Sequence, residues 1–334
     1  MLLDLTLKKL RFCKLKHKIL VITPVKHIRD ISEQLEKLGD ITYMDDPAPA
    51  EVMSCIDQYD VIFTNPNKSR IFLGKEIIDA GIRLKVICTA STGTNHIDKA
   101  YACEKGLSIL ALTEERDVIN KISSTAELSF ALTLAGLRHV VRGHNSVLQG
   151  EWDYTQYIGR QMNFLTIGVV GYGRLGSMYA KYCLAFGSRV MVFDPYKIVK
   201  DVGVEQVNDL DYLASQSDVI AIHVHVTEKT IGMFDNFLLN KMKKDVLVVN
   251  TSRGDVIDEV DLVNFLKLNP MSRVATDVLA DEVRNRINSP LLKYAELSDQ
   301  VIITPHIGGM TREAQEIAYG HAVLRLTKFL HLLL

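Results

Sequence analysis

The chain has 334 residues, 39 Lys and Arg against 40 Asp and Glu, 47% apolar residues and 24% charged residues. That composition excludes a disordered or collagen-like chain. A net charge of -1 excludes the broad positive field of a dedicated nucleic-acid binder, and no uncharged apolar run reaches the ~18 residues that a membrane span needs. Five scattered cysteines without a C-x-x-C pair argue against a disulfide framework or a metal site and fit a reducing, cytoplasmic setting. The length suggests two domains.

Residues 1–18 place Lys8, Lys9, Arg11, Lys14, Lys16 and Lys18 among leucines. The early charges leave no apolar signal core, so the segment reads as an arm packed on the first domain, with a basic membrane-touching face as the alternative. From Lys18 onward strands and helices alternate. KILVITP (18–24) is a buried strand pattern, and ISEQLEKLGD (31–40) has helical spacing. VIFTN (61–65), LKVICTA (84–90) and LSILAL (107–112) are further strands. Residues 123–149 read as one long helical stretch, with Ser124 and Glu127 spaced as a capping box. A second series follows: LTIGVVG (165–171), RVMVFDP (189–195), DVIAIHV (218–224), DVLVVN (245–250), RVATDV (273–278) and VIITP (301–305), with a helical pattern over 258–268 and an amphipathic helix at the end. This rhythm predicts an α/β protein with two Rossmann-like, doubly wound parallel sheets, joined by short crossovers near 113–122 and 304–310.

The sharpest local pattern is Gly171-Tyr172-Gly173-Arg174-Leu175-Gly176, set between an apolar strand and a helix. A lone GxGxxG means little, but a second strand here ends at Asp194, at about the 20-residue offset of a ribose-binding acid. Gly171 allows the tight turn, Gly173 lets the backbone approach a pyrophosphate, and Gly176 lets helix and strand pack. Free N–H groups at the helix start face the phosphates. Asp194 would accept bonds from ribose hydroxyls and repel the extra phosphate of NADP, so the expected cofactor is NAD.

Three later segments place a polar residue just past a strand: Arg253 in NTSRGD, Glu282 in DVLADE and His306 in TPHIGG. Singly, each is an ordinary surface or turn residue. Together, at the strand ends where such sheets bind ligands, they suit reduction of a 2-keto acid. Arg253 is a planar, permanent cation for the carboxylate and carbonyl. His306 can give or take the hydroxyl proton, and Glu282 would orient its imidazole.

GYGRLG, NTSRG, DVLADE and TPHIGG, in chain order, with STGTNHID (91–98) and STAELSFALTLAGLR (124–138) before them, resemble the D-isomer-specific 2-hydroxyacid dehydrogenase family. The likeness runs from about residue 20 to about residue 325. It implies that Arg253, Glu282 and His306 are the catalytic set, with Arg253 also holding substrate. It implies a substrate-carboxylate loop at Thr92 and Gly93, acting through backbone N–H groups. Pyrophosphate contacts at Arg174 and Leu175 follow from the same likeness, as does a nicotinamide contact at Asp277 and further cofactor contacts at His223, Thr251 and Gly308. The family fold implies a discontinuous substrate domain, 1–117 with 305–334, into which an NAD-binding domain, 118–304, is inserted. The helix after Ser124 would contribute to a homodimer interface. Val283 stands where the family usually has Pro, and His223-Val224-His225 where it often has His-Val-Pro; neither change removes a catalytic group.

The expected activity is hydride transfer between NAD and the α carbon of a D-2-hydroxy acid or 2-keto acid, with domain closure excluding water. Phosphoglycerate, hydroxypyruvate, glyoxylate and larger acids all remain open as substrates. Lys68 and Arg70 in the loop 64–71 are cations that could meet an anionic substrate; Arg284 and Arg286 could do the same but read first as solvent-exposed loop charges. A formate-dehydrogenase-like reaction is disfavoured by Glu282, because that branch pairs its His with Gln. An NAD(H)-sensing regulatory protein of the same fold is the reading from a different class.

Overall fold

Short β-branched runs become strands buried on both faces, as parallel sheets covered by helices require. The computed structural model describes residues 17–66 and 71–332. The basic arm up to Lys16 and the loop cations Lys68 and Arg70 lie outside the described residues. The chain divides into two compact units, one of Met1–Lys121 with Arg312–Leu334 and the other of Ile122–Thr311.

The first unit carries β1 (His17–Val21), β2 (Gly39–Tyr43), β3 (Val61–Thr64), β4 (Val86–Thr89) and β5 (Ser108–Leu110) in the parallel order β2-β1-β3-β4-β5. Alternate residues serve opposite faces, as the two-residue period of a strand dictates. Ile19, Val21, Val61 and Phe63 pack on one side against Tyr319, Val323 and Leu326 of the helix Arg312–Leu332. Leu20, Ile22 and Ile62 pack on the other against Val52, Ile56 and Ile77. Tyr319, Val323, Leu326 and Leu330 are buried at helical spacing, which ties the returning chain end to this sheet.

The second unit carries β6 (Thr166–Val170), β7 (Arg189–Phe193), β8 (Val204–Val207), β9 (Val219–Ile222), β10 (Leu247–Asn250), β11 (Arg273–Thr276) and β12 (Val301–Ile303), in the parallel order β12-β11-β10-β9-β6-β7-β8. The order reverses between β6 and β9, which is the switch point where such sheets open a ligand crevice.

Three sequence expectations are corrected. The helical pattern over 31–40 stops at Glu36, because residues 39–43 pair with β1 from His17↔Gly39 to Val21↔Tyr43. The long stretch 123–149 is two helices, Ser124–Leu137 and Val140–Leu148, broken at His139 with φ 55°. There the chain at Arg160 doubles back, and its N–H donates to the Leu137 carbonyl at 3.1 Å. Ser123 holds the N-cap position of the first of these helices without a side-chain bond to its backbone, its hydroxyl donating instead to the Glu127 carboxylate, while Ser124 is buried within the first turn.

Candidate active site

At the switch point β6 runs into Gly171, whose φ of 92° lies in the left-handed region that favours glycine. The helix Arg174–Ala185 starts at once, with Gly173 as N-cap and no side chain bonded to the cap. A Cβ at Gly176 would lie 2.0 Å from the Gly171 carbonyl oxygen, whereas one at Gly173 would meet nothing within 4 Å. The turn is therefore closed behind the helix start and open in front of it, where the first N–H groups concentrate positive potential. The Arg174 guanidinium donates to the Ile122 carbonyl, which ties the start of this helix to the start of the unit.

Asp194 follows β7. Its Oδ2 accepts from the Tyr172 N–H and its Oδ1 from the Tyr196 N–H, both at 2.9 Å. Each oxygen keeps a further lone pair, so the carboxylate is held in place with acceptor capacity left for ribose hydroxyls. Beyond β9, His223 lies against the Tyr179 ring, with centroids 5.1 Å apart, and its buried Nε2 has no hydrogen-bond partner among the described residues. Burial brings its pKa down to about 4, so the ring is neutral near pH 7. After β10, Thr251 is buried and its Oγ1 also lacks a partner among the described residues. Two orphaned polar atoms, an open glycine and an uncapped helix start on one sheet edge together fit a dinucleotide, since buried polar groups otherwise find partners.

Arg253, Glu282 and His306 follow the neighbouring strands β10, β11 and β12. Asn250, buried at the end of β10, accepts from the Ser252 N–H and hydroxyl through Oδ1 and donates to the Arg253 carbonyl at 2.9 Å. It shapes the turn that presents Arg253, whose side chain donates to the Ser252 carbonyl at 2.6 Å. Burial pulls this guanidinium below the usual arginine value, and the charges of Glu282 and Asp255 pull it back. After β11, Asp277 accepts from Thr304 Oγ1 at 2.6 Å, from the Ile307 N–H at 2.8 Å and from the Gly308 N–H at 2.7 Å. Burial pushes this carboxyl up, against the pull of those three bonds and of His306. Asp277 thus fixes the loop after β12, in which His306 adopts a left-handed φ of 54°. His306 Nδ1 meets Glu282 Oε1 at 2.6 Å, and Glu282 Oε2 accepts from the Leu279 N–H at 3.3 Å. Asp281, beside Glu282, is also left-handed at 48°. Two such residues flanking one 2.6 Å contact mark backbone strain stored at a working site.

Strand order turns these loops into a row. His306 follows β12, Glu282 and Asp277 follow β11, Arg253 and Thr251 follow β10, His223 follows β9, the glycine turn follows β6 and Asp194 follows β7. Three strand spacings separate β10 from β7, about 14 Å at the usual interval. Gly308 sits in the same loop as His306, where a Cβ would come within 3.1 Å of the Asp277 carboxylate. Leu175 lies in the first turn of the helix Arg174–Ala185.

In the first unit, Thr92 and Gly93 follow β4. The Thr92 carbonyl accepts from Thr113 Oγ1 at 2.7 Å, and the Gly93 carbonyl from Ser91 Oγ at 2.6 Å. Both carbonyls are thereby engaged within the unit. Sequence reasoning missed Asn250 and Thr304 as positioning residues. Their one signal was a polar residue ending or following an apolar run, VLVVN and VIIT.

Residues 130–308 match the family described as D-isomer specific 2-hydroxyacid dehydrogenase, NAD binding domain. The chain is 33% identical over 304 residues to a D-3-phosphoglycerate dehydrogenase of Methanocaldococcus jannaschii, covering 90% of this chain and 55% of that protein. It is 36% identical over 270 residues to a hydroxypyruvate reductase of Thermotoga maritima, covering 79% and 83%. The crystal structure of D-lactate dehydrogenase from Aquifex aeolicus, complexed with NAD and lactic acid, superposes with a TM-score of 0.78 at 29% identity, over 94% of this chain and 95% of that one. The chain spans about half the length of the phosphoglycerate dehydrogenases that it matches.

Proposed function

This chain belongs to the D-isomer-specific 2-hydroxyacid dehydrogenase family, and on that premise we propose that it interconverts a D-2-hydroxy acid and the matching 2-keto acid with NAD. The observation that carries the reading is the His306–Glu282 contact of 2.6 Å, in the same row of loops as Arg253 and the open glycine turn.

The cofactor, when bound, supplies or accepts the hydride. Gly173, the first N–H groups of the helix Arg174–Ala185, Asp194, Thr251, His223 and Asp277 are the residues that would hold it. Arg253 pairs with the substrate carboxylate and polarises the carbonyl, for which a planar cation in a partly buried turn is suited. Glu282 accepts the Nδ1 proton of His306, which leaves Nε2 to deliver a proton to the nascent hydroxyl or to take one away. Thr92 and Gly93, whose carbonyls are engaged internally, offer their N–H groups to the carboxylate. The substrate is a small D-2-hydroxy acid, with phosphoglycerate and hydroxypyruvate first among those to try.

The reading includes a cytoplasmic homodimer. The described cysteines, Cys55, Cys88, Cys103 and Cys183, are free thiols, as a reducing compartment would leave them. Trp152, Tyr154, Ile158 and Phe164 are 91%, 81%, 75% and 78% exposed, an apolar surface of the kind that a second copy covers.

The test is loss of nicotinamide absorbance when the protein meets NADH and a panel of 2-keto acids. Turnover is expected on at least one of them. His306→Ala should lower kcat by 100-fold or more with NADH affinity within twofold of the parent. NADH binding without turnover on any acid, or full turnover in the variant, would overturn the reading.

A further inference from the structure

The second unit holds a cavity of about 600 Å³ that the reaction does not use. Among its lining residues are His139, Arg142, Arg273, Leu297, Asp299 and Gln300. Arg273 opens β11 and Val301 opens β12, so the cavity lies at the amino edge of the sheet. Arg253, Glu282 and His306 all follow carboxyl ends. A four-residue strand separates the two edges, about 13 Å of sheet.

The walls are built rather than loose. Gln300 is buried; its Nε2 donates to the carbonyls of Leu266, Asn269 and Ser272 at 3.2, 3.1 and 2.8 Å, and its Oε1 accepts from Tyr294 Oη at 2.6 Å. The opposite wall turns on His139, the residue that breaks the long helical stretch with its φ of 55°. His139 Nε2 lies 3.3 Å from the Ile158 carbonyl, which assigns its proton to that nitrogen. Burial and the charges of Arg273 and Arg142 pull this imidazole below its ordinary value, so it adds no charge of its own.

Two arginines and two exposed carboxylates, Glu296 and Asp299, line the cavity, and only Arg142 and Asp299 are in contact. Arg142 is satisfied twice: its Nε lies 2.5 Å from Asp299 Oδ2, and its guanidinium stands 5.4 Å over the Tyr157 ring. Arg273 is half-buried, and its guanidinium has no ion-pair partner among the described residues. It also lies close enough to Arg142 to feel that like charge, with Asp299 opposing from a distance. Glu296 lines the rim but is exposed. A half-buried cation beside a second cation is costly unless something neutralises it.

We propose that this cavity is a second ligand site, which takes a small organic anion whose carboxylate or phosphate group pairs with the Arg273 guanidinium. A planar guanidinium fork suits both groups, and the volume is in the range of small-molecule sites. The site is independent of the catalytic reading, because no residue of the row His306 to Asp194 lines it.

Calorimetric titration of the full chain with succinate and with inorganic phosphate, against chloride at matched ionic strength, tests the proposal. Saturable binding of at least one of the two is expected, at one per chain, and Arg273→Met should weaken it about tenfold or more while NADH affinity stays unchanged. Asp299→Asn should tighten it several-fold by removing the competing carboxylate. Phosphate alone binding assigns a phosphate group, and succinate alone a carboxylate. Saturable binding of neither, or equal binding by the parent and Arg273→Met, overturns the site. Should Arg273→Met fail to fold, the Asp299→Asn arm decides: no tightening overturns it.

Discussion

The two units solve the same local problem in opposite ways. Each has a strand at its topological switch point, β1 in one and β6 in the other, leading into a helix. After β6 the helix begins within four residues, and the turn is empty in front of Gly173. After β1 the helix waits until Ile31, and the intervening chain fills its own space. Val25 and Ile28 are 0% and 5% exposed, and the Ile28 N–H donates to the Val25 carbonyl at 3.0 Å. The helix there is six residues long and carries Glu33 in its first turn, where an acid opposes a phosphate. A parallel sheet alone is therefore no cofactor site; an open turn, a near helix start and no acid beside it make one.

The largest break in this contrast comes from closing the open turn. Gly176→Val puts a Cβ 2.0 Å from the Gly171 carbonyl, a backbone contact that no rotamer relieves. NADH affinity should fall by more than 100-fold, with Tm lower by several degrees, as read by nicotinamide fluorescence and calorimetry. Gly173→Asp separates charge from packing, because the space there is empty. Its Tm should stay within about 2 °C of the parent, while NADH binding weakens about 100-fold through the carboxylate facing the pyrophosphate. Unchanged affinity in Gly173→Asp would mean that phosphates do not meet this helix.

The same contrast explains what could be read from the sequence. The placement of the glycine turn, Asp194 and the polar residues past β10, β11 and β12 is legible, because each directly follows an apolar run. The break at His139 was not, since the pattern over 123–149 is helical and the interruption depends on a hydrogen bond from distant Arg160. Edge strand β8, VEQV, is too short and too polar to stand out. The role of Asp277 as the clamp of the His306 loop depends on three partners from 304–308, which no spacing announces. Arg273 reads as an ordinary strand-opening cation, and only the cavity beside it distinguishes it.

A smaller effect sharpens the contrast through pH. His223 packs against the Tyr179 ring with its pKa lowered by burial to about 4, against ~6.5 in the unfolded chain. The unfolded state therefore binds the proton more readily, and stability from this group is complete above pH 6.5 and falls away as the pH drops toward 4. The loss amounts to at most about 3 kcal/mol. Urea unfolding of His223→Gln at a series of pH values should show a shallower loss than the parent over that interval. Identical slopes would mean that the imidazole is not buried in the folded protein.

The smallest effect on cofactor binding is expected in the filled turn. Ile28→Ala removes a side chain that is 5% exposed, and a buried Ile→Ala change costs about 2–5 kcal/mol of stability. Space alone does not make a phosphate cradle, however. The helix still starts late, still has Glu33 in its first turn, and Asp30 at its N-cap keeps a left-handed φ of 61°. NADH should therefore bind Ile28→Ala with the parent's affinity, within twofold, and with one molecule per chain. Adding Glu33→Gln should not raise that number, because the backbone N–H groups are displaced from the strand end whether or not the acid is present. A second molecule of NADH on either variant would show that packing, and not the late helix start, keeps the first unit free of cofactor.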